Sequence, residues 1–349
     1  MEVEHDVELA PRTTLGVGGA ARLMVRVTTL AELAEALAIA QAGGDRVLVL
    51  GGGSNLVVRD GGWDGLAIQI AIPGIAIEDH ADHAIVAAGA GVVWDPFVAQ
   101  MVDAGLHGLE CLSGIPGLVG ATPMQNVGAY GQAVADAIVA VRALDRTTGE
   151  VALLPPEACE FDYRTSVFKG SDRWIVVEVQ FRLGRGEDSA PIAYPELARA
   201  LGIAEGARAP AADVRRTVIE LRRGKGMVVD PLDPESRSAG SFFMNPIVDA
   251  ATLAEVQARL APGVKMPCFA APDGHTKLSA GWLIEHAGFA KGYTVGRVGV
   301  SNKHALALVN RGGAKARELL ALAREIQDGV RARFGISLHP EPVIVGRET

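Results

Sequence analysis

Cysteine is scarce in this chain. Cys111, Cys159 and Cys268 are three in number and far apart, with no Cys-x-x-Cys run and no Cys/His cluster at zinc spacing. Neither a disulfide framework nor a structural zinc is expected, and no metal site is. The eight histidines contain no His-x-x-x-His pair. Positive charge is also short: 33 Lys and Arg against 41 Asp and Glu leave a net charge of −8, which offers no attracting field to nucleic acid. An anionic small substrate would need a local cluster of Arg and Lys. No apolar run reaches transmembrane length, so no membrane insertion is expected. The stretch Met1 to Ala10 carries Glu2, Glu4, Asp6 and Glu8, the reverse of a secretory start. The chain therefore reads as soluble, reduced and cytoplasmic.

What is present in quantity is glycine and apolar residues. The chain has 42 glycines and 49% apolar residues in 349 positions, which suggests two or three domains with many tight turns. Residues 12–28 read as a glycine-rich turn entering a strand. Gly16, Gly18 and Ala21 match Gly-x-Gly-x-x-Ala by count, but no strand is expected before them and no helix after, so a dinucleotide fingerprint is rejected. A helix is predicted over 30–42, with Thr29 and Glu32 as a capping box and Gly43 as its stop. Arg46 to Leu50 is a buried strand by composition. It runs into Gly51, Gly52, Gly53, Ser54 and Asn55, after which Leu56 to Val58 resumes strand character. Without Gly-Lys-Ser/Thr and a following helix this is no Walker loop, yet it has the bare N–H groups of a phosphate nest; a plain hairpin or bulge is the alternative.

Asp95-Pro96 is predicted to open a helix, which Gly105 ends. The stretch Gly108 to Gly131 holds six glycines (108, 114, 117, 120, 128, 131), which break any helical or strand period. A loop this long in a compact domain is usually functional, and with Ser113, Thr122, Gln125, Asn126 and Tyr130 it suits a large cofactor. Strands are predicted at 137–144, 150–154 and 174–183. Arg164 sits among aromatic and hydroxyl residues, ready either for a carboxylate ligand or for a salt bridge to Asp162 or Glu160. In a helix over 211–223, Val214, Val218 and Leu221 face inward, with Arg215, Arg216, Arg222 and Arg223 outward. Those arginines and Lys225 are candidates for a diphosphate as well as an ordinary solvated face. Further helices fit 250–260, 279–287 and 314–334.

One stretch stands out as an organising centre: Ser238-Ala-Gly-Ser-Phe-Phe-Met-Asn-Pro246. Phe242 and Phe243 can anchor it in apolar surroundings and hold Ser241 and Asn245 still; a simple turn is the alternative. Glu341 lies between two prolines ahead of apolar Val343 to Val345, which argues for inward packing.

Taken together, these stretches resemble the UDP-N-acetylenolpyruvoylglucosamine reductase (MurB) family. The resemblance rests on Gly51 to Asn55, on Gly114-Ile-Pro-Gly-Leu-Val-Gly120 with Asn126 to Gly131, and on Tyr163-Arg164 to Lys169. It rests further on Gly240 to Pro246, Lys277 to Ile284 and Pro340-Glu341-Pro342, in that order over about Thr14 to Gly346. It implies an α+β fold: an FAD-binding fold of the vanillyl-alcohol-oxidase/PCMH type in two lobes, taken as residues 1–80 and 81–205. A C-terminal α+β substrate-binding domain would occupy 206–349. It implies non-covalent FAD as cofactor, NADPH as co-substrate, a UDP-sugar substrate and a monomer.

By match, the cofactor-binding residues are Gly51, Gly52, Gly53, Ser54, Asn55, Ser113, Gly114, Ile115, Pro116, Gly120, Ala121, Gln125, Asn126, Gly128, Ala129 and Gly131. Tyr194 matches a substrate-capping tyrosine, and Lys225 and Asn245 match substrate-binding positions. Arg164, Ser241 and Glu341 match the catalytic trio. The reaction suits those types: hydride at C3 of a vinyl ether leaves negative charge at C2 and its carboxylate. That charge calls for a cation or acid nearby and a proton donor at C2. His304 stands where some members carry Gln, and Met244 where others carry Lys. Another flavin oxidase of the same fold, or a non-catalytic flavin-binding protein, would not need the joint presence of Arg164, Ser241 and Glu341.

Overall fold

The computed structural model describes residues 1–348. The chain divides into two units, each built from separate stretches. The first comprises Met1–Val7, Ala21–Gly53 and Trp63–Gly224; the second comprises Glu8–Ala20, Ser54–Gly62 and the chain from Lys225 onward.

The first unit holds two sheets. Four strands lie in the order Val3–Glu8, Ala20–Val27, Trp63–Ile70, Arg46–Leu50, and the last three run parallel. Helix α1 (Leu30–Gly43) supplies their crossover and buries Leu33, Ala36 and Ala40. Thr29 caps it by accepting from Glu32 N at 3.1 Å. Glu32 turns instead to Thr28, bonding its N at 2.6 Å and Oγ1 at 2.8 Å. The left-handed stop is Gly44, φ 66°, one residue later than the pattern predicts. A strand does precede Gly16, contrary to expectation, but the regular element after it is the strand Ala20–Val27 and not a helix.

The second sheet of this unit is antiparallel, ordered Val151–Leu154, Ile138–Asp145, Trp174–Arg185, His83–Gly89, Ile75–Asp79, with Leu106–His107 alongside Trp174–Arg185. Helix α2 (Trp94–Asp103) covers one face through Trp94 and Phe97, whose rings meet Phe181 at 6.0 and 5.4 Å. Its N-cap is Val93, which bridges Leu118, so Asp95 falls inside the first turn and is released for other bonds. Helices α3 (Pro195–Leu201) and α4 (Ala211–Gly224) make a small core of Ile192, Leu197, Val214 and Val218 with Cys111. Arg222 is buried at 8% exposure, not outward as the charge pattern suggests.

The second unit packs α5 (Ala250–Ala258), α6 (Ala280–His286) and α7 (Ala316–Phe334) with two three-stranded sheets. Its core joins Phe242, Phe243, Leu283, Ile326 and Phe334 to Leu15, Val17 and Val57. Asp60 caps α7, accepting from Ala316 N at 2.8 Å and Arg317 N at 3.2 Å. Leu56–Val58 pairs in parallel with Val343–Val345, but Val343 is 44% exposed and Ile344 and Val345 are half-buried, so the inward packing expected after Glu341 is only partial. Among the described residues no helix is long and apolar enough to cross a membrane, and no group of three or more His, Cys, Asp or Glu could hold a metal ion.

Candidate active site

In the first unit the Gly51–Gly53 turn leaves the carboxyl end of the parallel strand Arg46–Leu50, where ligands of parallel sheets gather. It lies against the second glycine loop. A Cβ on Gly52 would stand 2.9 Å from Gly117 Cα, and one on Gly51 would be 3.8 Å from Ala121 Cβ. The second loop is in turn laid on the chain before α2: Trp94 N donates to Gly117 O at 3.0 Å and Gly120 N to Ala90 O at 3.0 Å. A Cβ on Gly120 would overlap Ala90 Cβ. The result is a floor of nearly bare backbone, the surface that a dinucleotide with phosphates and a flat ring system requires.

Ser113 is buried and turned inward, its hydroxyl donating to Glu110 O at 2.7 Å. Gly114 N donates to Asp95 Oδ1 at 2.6 Å, and the same carboxylate takes both Nη atoms of Arg215 at 2.6 and 3.0 Å. Burial by itself would raise the Asp95 carboxyl, but these bonds outweigh it and hold it below the usual carboxylate range. Ile115, Pro116, Ala121 and Gln125 follow, half-buried along the loop. Asn126 spends its side chain on the loop itself: Oδ1 accepts from Ala135 N at 3.2 Å and Nδ2 donates to Asp162 O at 3.2 Å. Gly128 and Ala129 pair with Ala133 and Gln132 in a two-stranded ribbon that turns at Gly131.

Arg164 belongs to this unit. It has left-handed backbone, φ 57°, and its guanidinium donates to Asn126 O at 3.3 Å and Gly128 O at 2.6 Å. Lys169 Nζ holds the Arg164 carbonyl at 2.8 Å. Beside it, Asp162 Oδ1 accepts from Tyr163 N at 2.6 Å. Arg222 and Tyr130 share its neighbourhood. Burial lowers the Arg222 guanidinium to about 10, with Tyr130 and Asp95 opposing that shift and Arg164 adding to it. Burial pushes the Tyr130 hydroxyl up to about 12 against the pull of Arg222. Tyr194, 40% exposed at the N-cap of α3, meets the Tyr130 ring edge-on at 5.5 Å. The burial of Arg222 has a signal in the sequence, because Val214, Val218 and Arg222 recur every four residues along one helical face.

In the second unit, Ser241 follows Gly240, whose φ is 69°. Phe242 and Phe243 are buried and their rings meet edge-on at 5.2 Å. Phe242 N donates to Leu306 O at 2.7 Å, Met244 N to His339 O at 3.0 Å, and Glu341 N to Phe242 O at 2.9 Å. Residues a hundred positions apart are thereby neighbours: Ser241 and Glu341 lie on adjoining backbones. Asn55 joins them, its Nδ2 donating to Glu341 O at 3.4 Å and its carbonyl accepting from Val343 N at 3.0 Å. The Ser54 carbonyl accepts from Thr14 Oγ1 at 3.4 Å. Asn245 Oδ1 accepts from Ala280 N at 2.9 Å, which presents its amide as a donor. His304 shapes the facing turn, its Nδ1 accepting from Leu306 N at 3.1 Å. Lys225 begins a segment pinned by buried Glu235, which accepts from Ser301 Oγ at 2.6 Å and Arg311 Nη1 at 3.1 Å.

Two family models match the chain: an FAD binding domain over residues 21–154 and the C-terminal domain of UDP-N-acetylenolpyruvoylglucosamine reductase over 230–345. The reductase of Thermobifida fusca is 51% identical over 98% of both chains. That of Saccharopolyspora erythraea is 52% identical over 97% of this chain and 94% of its own. A crystal structure of the reductase (MurB) from Thermus caldophilus is similar with TM-score 0.66 and 28% identity over 99% of each chain. These matches agree with the α+β, FAD-binding fold expected from the motifs, and the chain belongs to the UDP-N-acetylenolpyruvoylglucosamine reductase family.

Proposed function

We propose that the protein reduces UDP-N-acetylglucosamine enolpyruvate to UDP-N-acetylmuramate at the expense of NADPH, in the cytoplasm and as a monomer, for peptidoglycan synthesis. FAD, held by the glycine loops and reduced by NADPH, would supply the hydride for C3 of the enolpyruvyl ether. The residues of the chain do the rest. The Ser241 hydroxyl gives a proton to C2; it is a weak acid, but a carbanionic C2 is basic enough to take it. The Arg164 guanidinium and the Glu341 carboxyl, the latter protonated, stabilise the charge that spreads into the substrate carboxylate. Tyr194, Lys225 and the Nδ2 group of Asn245 hold the diphosphate and sugar. The lobes 1–80 and 81–205 hold FAD without a covalent link, through Gly51 to Asn55 and the 113–131 loop, and the 206–349 part takes the substrate.

The observation that carries this reading is the junction of Phe242 and Glu341. It joins the backbones that carry Ser241 and Glu341 from distant parts of the sequence, beside two buried rings. The test is an anaerobic flavin titration. NADPH is expected to bleach the long-wavelength band, and the enolpyruvyl substrate to restore it without oxygen. Bleaching with no return would leave a flavoprotein of another specificity, and a protein that cannot be loaded with FAD would end the reading.

A further inference from the structure

Glu110 is fully buried, yet among the described residues its carboxylate has only neutral hydrogen-bond partners. Oε2 accepts from Gly108 N at 2.5 Å; Oε1 accepts from Gln132 Nε2 at 3.2 Å and from Ala190 N at 3.0 Å. Gln132 completes the arrangement by accepting from Cys111 N at 3.0 Å through Oε1. Glu110's own carbonyl accepts the Ser113 hydroxyl. A buried carboxylate held by neutral donors is an expensive way to keep a fold together, since an apolar side chain of that size would avoid the desolvation. What the carboxylate does that an apolar group cannot is join three stretches of the chain at one point, two through backbone N–H groups and one through the Gln132 side chain.

Those pieces are the start of the second glycine loop, the ribbon whose turn carries Tyr130, and the segment that leads into Tyr194. Gln132 lies two residues after Tyr130, and Ala190 four before Tyr194. The two rings then meet edge-on. Ile192 N is held by Ala207 O at 2.9 Å, so the path from Ala190 to Tyr194 has little slack. We propose that Glu110 is a positioning residue for substrate binding. It fixes the Tyr130–Tyr194 ring pair relative to the 108–114 loop, so that the tyrosine is already in place when the nucleotide sugar arrives. The proposal rests on the reading of Tyr194 as a substrate-binding residue.

The test is a double-mutant cycle with Glu110→Gln and Tyr194→Phe in the FAD-loaded protein. Gln keeps the size but turns an NH2 toward N–H donors that require an acceptor. Each single change is expected to raise KM for the enolpyruvyl substrate about tenfold, the loss expected for one well-placed hydrogen bond. The double variant should stay near tenfold, well short of a hundredfold. FAD content and the rate of anaerobic flavin reduction by NADPH should be those of the parent. A hundredfold effect in the double variant, an unchanged KM in Glu110→Gln, or loss of FAD from it would each overturn the role. If Tyr194→Phe alone changes nothing, the Tyr194 reading falls. A raised KM in Glu110→Gln would then have to act through some other group, which also overturns the proposal. Should Glu110→Gln not fold, Gln132→Met removes one donor and keeps the carboxylate. It is expected to raise KM several-fold in the parent and not at all in Tyr194→Phe; equal rises in both would sink the idea.

Discussion

Arg164 and Ser241 are held by opposite means. Arg164 has left-handed backbone and is gripped by the carbonyls of Asn126 and Gly128, in a unit whose neighbouring loops work because side chains are missing. Ser241 and Glu341 rest on side chains that are large, Phe242 and Phe243, and on backbone bridges between distant segments. One region is shaped by close approach and the other by burial. Mutations should therefore fail differently in the two: by added volume in the first and by removed volume in the second.

The largest effect is expected from Ser241→Ala. Removing a positioned acid typically costs about 10²–10⁴-fold in rate, so reoxidation of reduced flavin by the enolpyruvyl substrate should fall by that much. Stopped-flow spectra should show FAD binding and NADPH reduction intact; unchanged turnover would remove Ser241 from the chemistry. Phe242→Ala comes next. A buried Phe truncated to Ala costs about 3–5 kcal/mol, and thermal melts should show it in the second unit. If its melting matches the parent, the anchoring account of Ser241 is wrong.

Gly52→Ala turns the comparison around. Its Cβ would meet Gly117 Cα at 2.9 Å, and relieving that contact costs about 1–3 kcal/mol. FAD affinity, read by flavin release on dilution, should drop about tenfold or more. The smallest effect belongs to Asp95→Asn. Burial works against the Asp95 charge, but Arg215 and Gly114 outweigh it and keep the folded-state pKa low. The stabilisation is therefore complete above the unfolded carboxylate pKa of about 3.9 and is lost as pH falls through the lower folded value. The variant should be about 1–2 kcal/mol less stable at pH 7 and should converge with the parent only as pH falls below the folded-state pKa. A difference that persists in acid would point to packing instead of charge.

Much of this is legible in the sequence alone. Composition marks the strand Arg46–Leu50, and Val214 with Val218 marks α4. Phe242-Phe243 announces an anchor, and the glycine spacing announces two loops of nearly bare backbone. What cannot be read locally depends on partners far along the chain. Asp95-Pro96 has the local form of a helix start, but the bridge from Val93 to Leu118 moves the cap and sends the carboxylate to Arg215, 120 residues on. Arg222 defeats a reading by charge, because its place on the apolar stripe of α4 outweighs its guanidinium. Glu32 has the spacing of a capping box, yet its carboxylate takes the N–H and hydroxyl of Thr28, at 2.6 and 2.8 Å. Asn55 shows the limit best: no local pattern tells that its amide reaches Glu341, 286 positions away.

The parallel pairing of Leu56–Val58 with Val343–Val345 also sets a timetable. A growing polypeptide has residues 8–20 and 54–62 of the second unit out early, but their partners arrive last. Until the ribosome has passed Val345, Val57 has no strand beside it and Glu341 has no register. The nascent protein can assemble most of its glycine loops while still tethered, but the hydroxyl and carboxyl must wait. A product that ends before Glu341 would carry the whole of the first unit and lack the strand that pairs with Leu56–Val58.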